Sequence, residues 1–399
     1  MKNLEQQFSE NLLVTSRHET QSLSSVREYY SDSIPVDLLI DIFSRLPRKS
    51  IDRFRCVSKL WKYILRRPDF TELFLTKSST RPRLLFTLKV DGKLLFYSLP
   101  QPQNPNKNST LVATRYHTSF PEYIPSGNCT PVCGLVLLEG GYVLLKDKTL
   151  PQVKAKSNYP NTAEPRATIG GVYLGYDPIS RQFKVLCMTT SVDERPNTHQ
   201  VLTLESGKRL WRRIERKIPF VETDRTDGDI CINGVLYFGS ETRTSFVVVC
   251  FDVRTEKLGS INIDKDMLGN KKGYVCGELA LFNYKGKLGI RKKIEGWHWN
   301  RYRDPLVLWV LEDAGNHKWS KHTYELPSLI RGKWFVGMAA TGEIVLSSYK
   351  NDDRSNLFCV YFYNIVRKDF TTVSIQGFEE FKHVWIDIFL DYVENLKFM

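Results

Sequence analysis

Apolar positions along the chain change their period once. Between residues 33 and 78 they recur at helical spacing, whereas from Arg81 onward they form short alternating or continuous runs divided by turn residues, the pattern of strands. In the first block Ile34, Leu38, Leu39, Ile42, Phe43 and Leu46 fall at i, i+4, i+5, i+8, i+9 and i+12, one apolar stripe along a helix. Pro35 suits the first turn, where its missing N–H is not needed, Asp37 favours the positive end of the helix dipole, and Pro47 ends the helix. Ser50 is placed to cap a second helix bearing Ile51, Phe54 and Val57. Ser58 is placed to cap a third carrying Leu60, Trp61, Ile64 and Leu65, halted by Pro68. Asp69 then opens one more turn with Phe70, Leu73 and Phe74. Residues 1–32 are polar, without sustained periodicity, and read as a disordered tail.

About 45 residues in short helices make a small core, yet the stripes are wide, with large apolar side chains on more than one face. Two readings stand on these residues alone: a helical cap packed wholly against the next domain, or an element that keeps one face for a partner protein. The run Ile34-Pro35-Val36-Asp37-Leu38-Leu39-Ile40-Asp41-Ile42-Phe43-Ser44-Arg45-Leu46-Pro47, continued by Lys49-Ser50-Ile51-Asp52-Arg53-Phe54-Arg55-Cys56-Val57-Ser58-Lys59-Leu60-Trp61, resembles the plant-type F-box. That pattern is roughly L-P-x-D-L-L-x-E-I-L-x-R-L-P-x-K-S-L-x-R-F-R-C-V-S-K-x-W. Here Ile34 replaces the first Leu, Asp41 the Glu, and Ile42-Phe43 the Ile-Leu pair. The resemblance implies a three-helix F-box over residues 33–78. It would dock on a Skp-family adaptor, which joins such proteins to a cullin–RING ubiquitin ligase. By position it implies Ile34, Pro35, Leu38, Leu39, Ile42, Leu46 and Pro47 as adaptor-facing, with Val57 and Trp61 in helix packing or adaptor contact.

Residues 81–399 carry a weak internal repeat, a turn ending in Gly before a short strand. It occurs at Val90-Asp91-Gly92-Lys93, Glu139-Gly140-Gly141-Tyr142, Ile232-Asn233-Gly234-Val235, Tyr284-Lys285-Gly286-Lys287 and Ala340-Thr341-Gly342-Glu343. Asp-Gly, Gly-Gly and Asn-Gly are tight-hairpin pairs, since both central residues need positive φ. The spacings of 49, 93, 52 and 56 residues suggest a period near 50, with one degenerate copy inside the 93, as in a kelch-like propeller blade. Between these turns recur strand–turn–strand phrases around Asp177, Asp252 and Asn364, in which the Asp or Asn is read as a turn former satisfying backbone N–H groups two residues on. Gly175-Tyr176-Asp177-Pro178-Ile179-Ser180-Arg181-Gln182-Phe183-Lys184-Val185-Leu186 resembles the plant F-box-associated region, which implies a propeller in the substrate-receptor position. The fold class expected is thus α plus all-β: a three-helix F-box followed by a kelch-like β-propeller of about six to seven blades.

Composition narrows the function. Apolar residues at 42% and charged ones at 25% exclude a wholly disordered or collagenous chain. Lys and Arg number 57 against 44 Asp and Glu, a formal charge of +13 that favours acidic partners without specifying one. Eight cysteines form no C-x-x-C, and most sit in apolar runs such as Val247-Val248-Val249-Cys250-Phe251, which suits buried thiols in a reducing compartment. With no apolar leader and no stretch long enough to span a bilayer, the expectation is an intracellular protein of nucleus or cytoplasm, without a membrane role. No G-x-x-x-x-G-K-[ST], G-x-S-x-G or H-E-x-x-H occurs, so no catalytic residue, metal ligand or cofactor is expected.

One stretch stands apart, Ile290-Arg291-Lys292-Lys293-Ile294-Glu295-Gly296-Trp297-His298-Trp299-Asn300-Arg301-Tyr302-Arg303. Trp297, Trp299, Arg301 and Tyr302 have the composition of a protein hot spot, and more distantly of a single-stranded nucleic-acid platform; alternatively the rings cover a neighbouring blade. The function expected is a non-catalytic substrate receptor of an SCF-type ubiquitin ligase, adaptor on the F-box and target protein on the propeller. The alternative is an adaptor-binding module that delivers no target.

Overall fold

The computed structural model describes residues 34–103, 109–121, 130–138, 142–144, 167–191, 198–204, 211–215, 221–222, 226–241, 246–268, 279–292, 305–348, 357–381 and 384–396. The chain divides into two compact units, one ending at Phe74 and one beginning at Leu75.

The first unit is built from α1 (Val36–Ser44), α2 (Arg48–Phe54), α3 (Lys59–Ile64) and the start of α4 (Pro68–Ser79). Four helices are present: the three of the expected F-box and, where Asp69 was expected to open one more turn, a fourth of full length. Proline chemistry sets the starts of two of them. Pro68 does not only stop α3; it is the first residue of α4, where a missing N–H costs nothing. Likewise Pro47 occupies the N-cap of α2, so the helix starts ahead of Ser50. Ser58 caps α3 as expected, its Oγ accepting from the Trp61 N–H at 3.1 Å. Inside lie Leu39, Phe43, Ile51, Ile64, Leu65 and Phe70, all buried. Phe43, Phe54 and Trp61 form a three-ring cluster with centroids 5.0–5.6 Å apart.

The second unit is a ring of sheets. The first sheet orders Ile386–Tyr392, Arg83–Val90, Lys93–Pro100 and Thr114–Pro121; the second Pro131–Val132, Leu135–Leu138 and Tyr142–Leu144. The third orders Ala167–Asp177, Gln182–Ser191, Thr198–Leu204 and Trp211–Glu215. The fourth is built on Ile230–Ile232, Val235–Glu241, Phe246–Asp252 and Lys257–Asn262, the fifth on Leu279–Tyr284, Lys287–Lys292, Leu306–Asp313 and Lys318–Tyr324. The sixth orders Trp334–Met338, Ile344–Ser347, Phe358–Asn364, Asp369–Gln376 and Ser109–Val112. Apolar clusters join each sheet to the next and the sixth to the first, closing the ring of a β-propeller. Each sheet is therefore buried on both faces. In the fourth sheet Val247, Val249 and Phe251 pack toward the third while Phe246 and Val248 pack toward the fifth, which is why the run is continuously apolar.

The expected six to seven blades are corrected. Among the described residues five blades have four or five strands, and the remaining sector, between the first and third sheets, holds only the three-stranded sheet. The ring is latched twice. The C-terminal strand Ile386–Tyr392 pairs antiparallel with Arg83–Val90, and Ser109–Val112 pairs parallel with Asp369–Gln376.

Two kinds of turn build the blades. Asp91-Gly92, Asn233-Gly234 and Lys285-Gly286 have positive φ at both residues, the two-residue hairpin expected of them. Cys133-Gly134, φ 45° and 81°, is a copy that the sequence reading missed, while the copy at Gly140-Gly141 lies outside the described residues. The second kind begins with a carboxylate or amide. Asp177 accepts from the N–H groups of Ile179 and Ser180, Asp252 from Thr255, and Asn364 from Val366 and Arg367. Asp313 does the same for Gly315 and Asn316, a fourth copy without an expectation.

Two stability predictions arise here. Gly234 holds φ +84°, and an added Cβ would sit 3.1 Å from Pro178 Cδ. Gly234→Val is expected to lower the unfolding free energy by more than about 1 kcal/mol, read as a shifted urea midpoint at constant slope; an unmoved midpoint would reject the hairpin assignment. His199 in the third sheet is fully buried, neither ring nitrogen has a hydrogen-bond partner, and burial pushes its pKa down to about 4. The neutral ring is the folded form, so its contribution is complete above the unfolded value near 6.5 and is lost as pH falls from 6.5 towards 4. Wild type should thus lose about 3 kcal/mol relative to His199→Leu between pH 7 and pH 4; parallel pH profiles would contradict this.

Candidate partner-binding surfaces

In the first unit the single wide stripe of α1 separates into two lines about 100° apart. Leu39 and Phe43 turn inward and are 4% and 2% exposed. Ile34, Leu38 and Ile42, one helical turn apart, remain 52%, 55% and 47% exposed. Pro35 and Pro47 are exposed, Leu46 is half-buried, and Val57 is exposed. Trp61 is half-buried and packs edge-on against Phe43 and Phe54. Of the residues implied as adaptor-facing, Leu39 thus has its side chain in the unit's own core, and Trp61 has a packing role. Val36 and Tyr63, exposed at 40% and 62%, are apolar surface that the pattern did not single out.

On the propeller, strand alternation puts the turns at Cys133-Gly134, Asp177, Asn233-Gly234, Asp252, Lys285-Gly286, Asp313 and Asn364 at one mouth of the ring, where side chains lace neighbouring turns together. Asp91-Gly92, between the second and third strands of the first sheet, lies at the other. Asn233 Nδ2 donates to the Gly286 carbonyl at 3.1 Å, and Asn395 Nδ2 to the Cys133 carbonyl at 2.8 Å. Asp391 accepts from Gln101 Nε2 at 2.7 Å and from the Ala340 N–H at 3.0 Å. Asp177, whose side chain is 3% exposed, pairs with Arg254 at 3.1 Å. Burial raises its pKa, but the guanidinium, the Ser180 hydroxyl and two N–H groups outweigh burial and hold the carboxyl far below the usual range. Lys184 and Arg212 converge on Glu256 and lower its pKa against burial. These charges are consumed in joining sheets, which fits the reading of Asp177 as structural.

The opposite mouth receives the connections between second and third strands. Trp297, Trp299, Arg301 and Tyr302, in the sequence between Lys287–Lys292 and Leu306–Asp313, lie outside the described residues. A cavity of about 440 Å³ runs along the innermost strands, lined by residues of all six sheets, among them Cys133, Asp229, Cys231, Trp334, Asp387 and Asp391. Burial raises the Cys133 and Cys231 thiols to about 12 and 11, which keeps both protonated and unreactive at neutral pH. Among the described residues no group of three His, Cys, Asp or Glu side chains could hold a metal ion, and no helix is long and apolar enough to cross a membrane.

Comparison with known proteins agrees with this division. Residues 31–73 match the F-box domain, and residues 83–393 match the F-box associated beta propeller domain. A putative F-box protein of Arabidopsis thaliana is 47% identical over the whole of both chains. A second F-box protein of that plant is 44% identical over 92% of this chain and 82% of its own. The Arabidopsis F-box protein DOR is 41% identical over 93% of this chain and 95% of its own. A helical unit with an outward apolar line, a closed propeller, and matches spanning both place the chain in the plant F-box family whose members carry an F-box associated β-propeller.

Proposed function

We propose that this chain is the substrate-recognition subunit of an SCF-type ubiquitin ligase. Ile34, Leu38 and Ile42, with Pro35, Leu46, Pro47 and Val57 around them, dock a Skp-family adaptor, and the propeller holds a target protein. The observation that carries this reading is the exposed apolar line of Ile34, Leu38 and Ile42 along α1, beside Leu39 and Phe43, which are buried on the same helix. The chain's own part is binding. Holding a target beside a charged ubiquitin carrier raises the effective concentration of target lysines, and proximity supplies the rate. The reading places the protein in the nucleus or cytoplasm, where the adaptor and cullin work.

The test is proximity labelling from the full chain in plant cells, with and without a proteasome inhibitor. Adaptor and cullin should be labelled in both conditions, and at least one further protein should accumulate with the inhibitor. Labelling of adaptor and cullin without any inhibitor-dependent protein would contradict the receptor role.

A further inference from the structure

We propose that the corner between the third and fourth sheets binds an acidic segment of a partner protein, with carboxylates on Arg212 and Arg254 and an apolar side chain on Ile179. The inference rests on the reading of the propeller as the unit that holds a target, and it names the surface and the chemistry of the segment held. The turns at 178–181 and 254–256 meet here at one mouth of the ring, joined by the Arg254–Asp177 pair. Their carboxylates are fully engaged by the fold. Asp177 and Glu256 lie beneath the surface, 3% and 18% exposed, and Asp252 accepts from the Thr255 N–H. The guanidiniums are engaged only in part. Arg254 donates from Nε and Nη2 to Asp177 at 3.1 and 3.3 Å, and Arg212 donates from Nη2 to Glu256 and Thr203. Nη1 of Arg254, and Nε and Nη1 of Arg212, have no partner among the described residues. The two side chains are 47% and 55% exposed.

Two further features set this corner apart from scattered surface charge. The first is pre-organisation. A mobile arginine loses rotamer entropy when it binds, whereas here carboxylates below the surface already hold both guanidiniums. The turn that carries Arg254 is tied as well, since Lys184 Nζ donates to the Arg254 carbonyl at 3.2 Å and to Glu256 at 2.8 Å. A partner carboxylate therefore meets donors whose ordering cost is already met by the fold, in the planar array that matches its two oxygens. The second feature is Ile179, 72% exposed at the tip of its turn. Asp177 accepts from the N–H groups of Ile179 and Ser180 and also holds Arg254. Pro178 fixes the backbone just before it. A β-branched side chain with few rotamers thus stands in solvent beside the guanidinium. A stiff apolar knob flanked by oriented arginines suits a protein hot spot, and its positive field selects acidic partners. Nucleic acid fits less well, because among the described residues the propeller exposes no Phe, Tyr or Trp ring on which a base could stack.

The experiment probes the purified full chain with a synthetic array of short peptides that place two Asp or Glu at varied spacing around one Leu, Ile or Phe. The same array made with Asn and Gln, and a single-stranded oligonucleotide, are the comparisons. Wild type should be retained by a subset of the acidic peptides and by none of their amide counterparts. Against the tightest acidic peptide, calorimetry should show binding weakened at least ~10-fold by Ile179→Glu and at least ~3-fold by Arg212→Gln. Both side chains are exposed, and Lys184 still serves Glu256 in the second variant, so melting curves should match wild type. Lys93→Glu, a charge change on an exposed residue at the other mouth, should leave affinity unchanged. No preference for acid over amide, unchanged affinity in folded Ile179→Glu or folded Arg212→Gln, or tighter binding of the oligonucleotide than of any peptide would overturn the proposal. Adaptor capture by the same preparations, together with inhibitor-dependent labelling by the wild-type chain, separates that outcome from a failure of the ligase reading.

Discussion

Leu38→Asp combined with Ile42→Asp is expected to abolish capture of a Skp-family adaptor while the protein melts as wild type does. Both side chains are about half exposed on the outer line of α1, so the isolated fold loses little when they change. In a complex each would be covered, and full burial of a Leu or Ile is worth ~1.5–3 kcal/mol. A carboxylate in the same place adds a desolvation cost. Together these exceed ~4 kcal/mol, on the order of 1,000-fold in affinity. Leu39→Ala gives the opposite result. Leu39 is 4% exposed, and truncating a buried Leu costs ~2–5 kcal/mol of folding stability, so adaptor binding falls only as the unit unfolds. Retained adaptor binding by the double Asp variant at unchanged stability would reject this face as the docking surface.

The second large effect is at Asp177. Asp177→Ala is expected to destabilise the propeller by about 2–4 kcal/mol, shifted below the ~3–5 kcal/mol of a fully buried ion pair because Arg254 is half exposed. The variant strands the Ile179 and Ser180 N–H groups as well as the guanidinium. Since the folded carboxyl titrates below its ordinary value near 3.9, its contribution is complete above that pH and lost as pH falls through the acid range. Urea unfolding of wild type and variant should accordingly differ at pH 7, begin to draw together only below about pH 4, and still differ at about pH 3. Asp252→Ala, which removes one exposed turn bond to Thr255, should cost under about 1 kcal/mol. Equal midpoints for Asp177→Ala and wild type at pH 7 would show that the inter-sheet bridge does not hold the ring.

How much was legible follows from which interactions are local. Helix existence, the Ser58 cap and the Asp177, Asp252 and Asn364 turns are decided within a few residues, and the sequence carries them directly. The division of the α1 stripe could not be read, because Leu38 and Leu39 are alike in chemistry and only the packing of Phe43 on Phe54 and Trp61 says which line points inward. Blade number failed for a related reason. The third sheet has no glycine hairpin between its first two strands and uses the Asp177 turn instead, while Cys133-Gly134 marks the second sheet without a familiar turn pair. The latch by Ser109–Val112 joins positions more than 250 residues apart, beyond any periodicity.

The central claim is that this chain brings a target to a ubiquitin ligase. It is tested most directly by reconstituting ubiquitin transfer with purified adaptor, cullin–RING complex, the full chain, and a protein that co-purifies with it from plant cells. Ubiquitin should appear on that protein only when the chain is present, and not with Leu38→Asp/Ile42→Asp in its place. Adaptor-bound chain that never promotes transfer to any co-purifying protein would contradict the account and leave an adaptor-binding module that delivers no target.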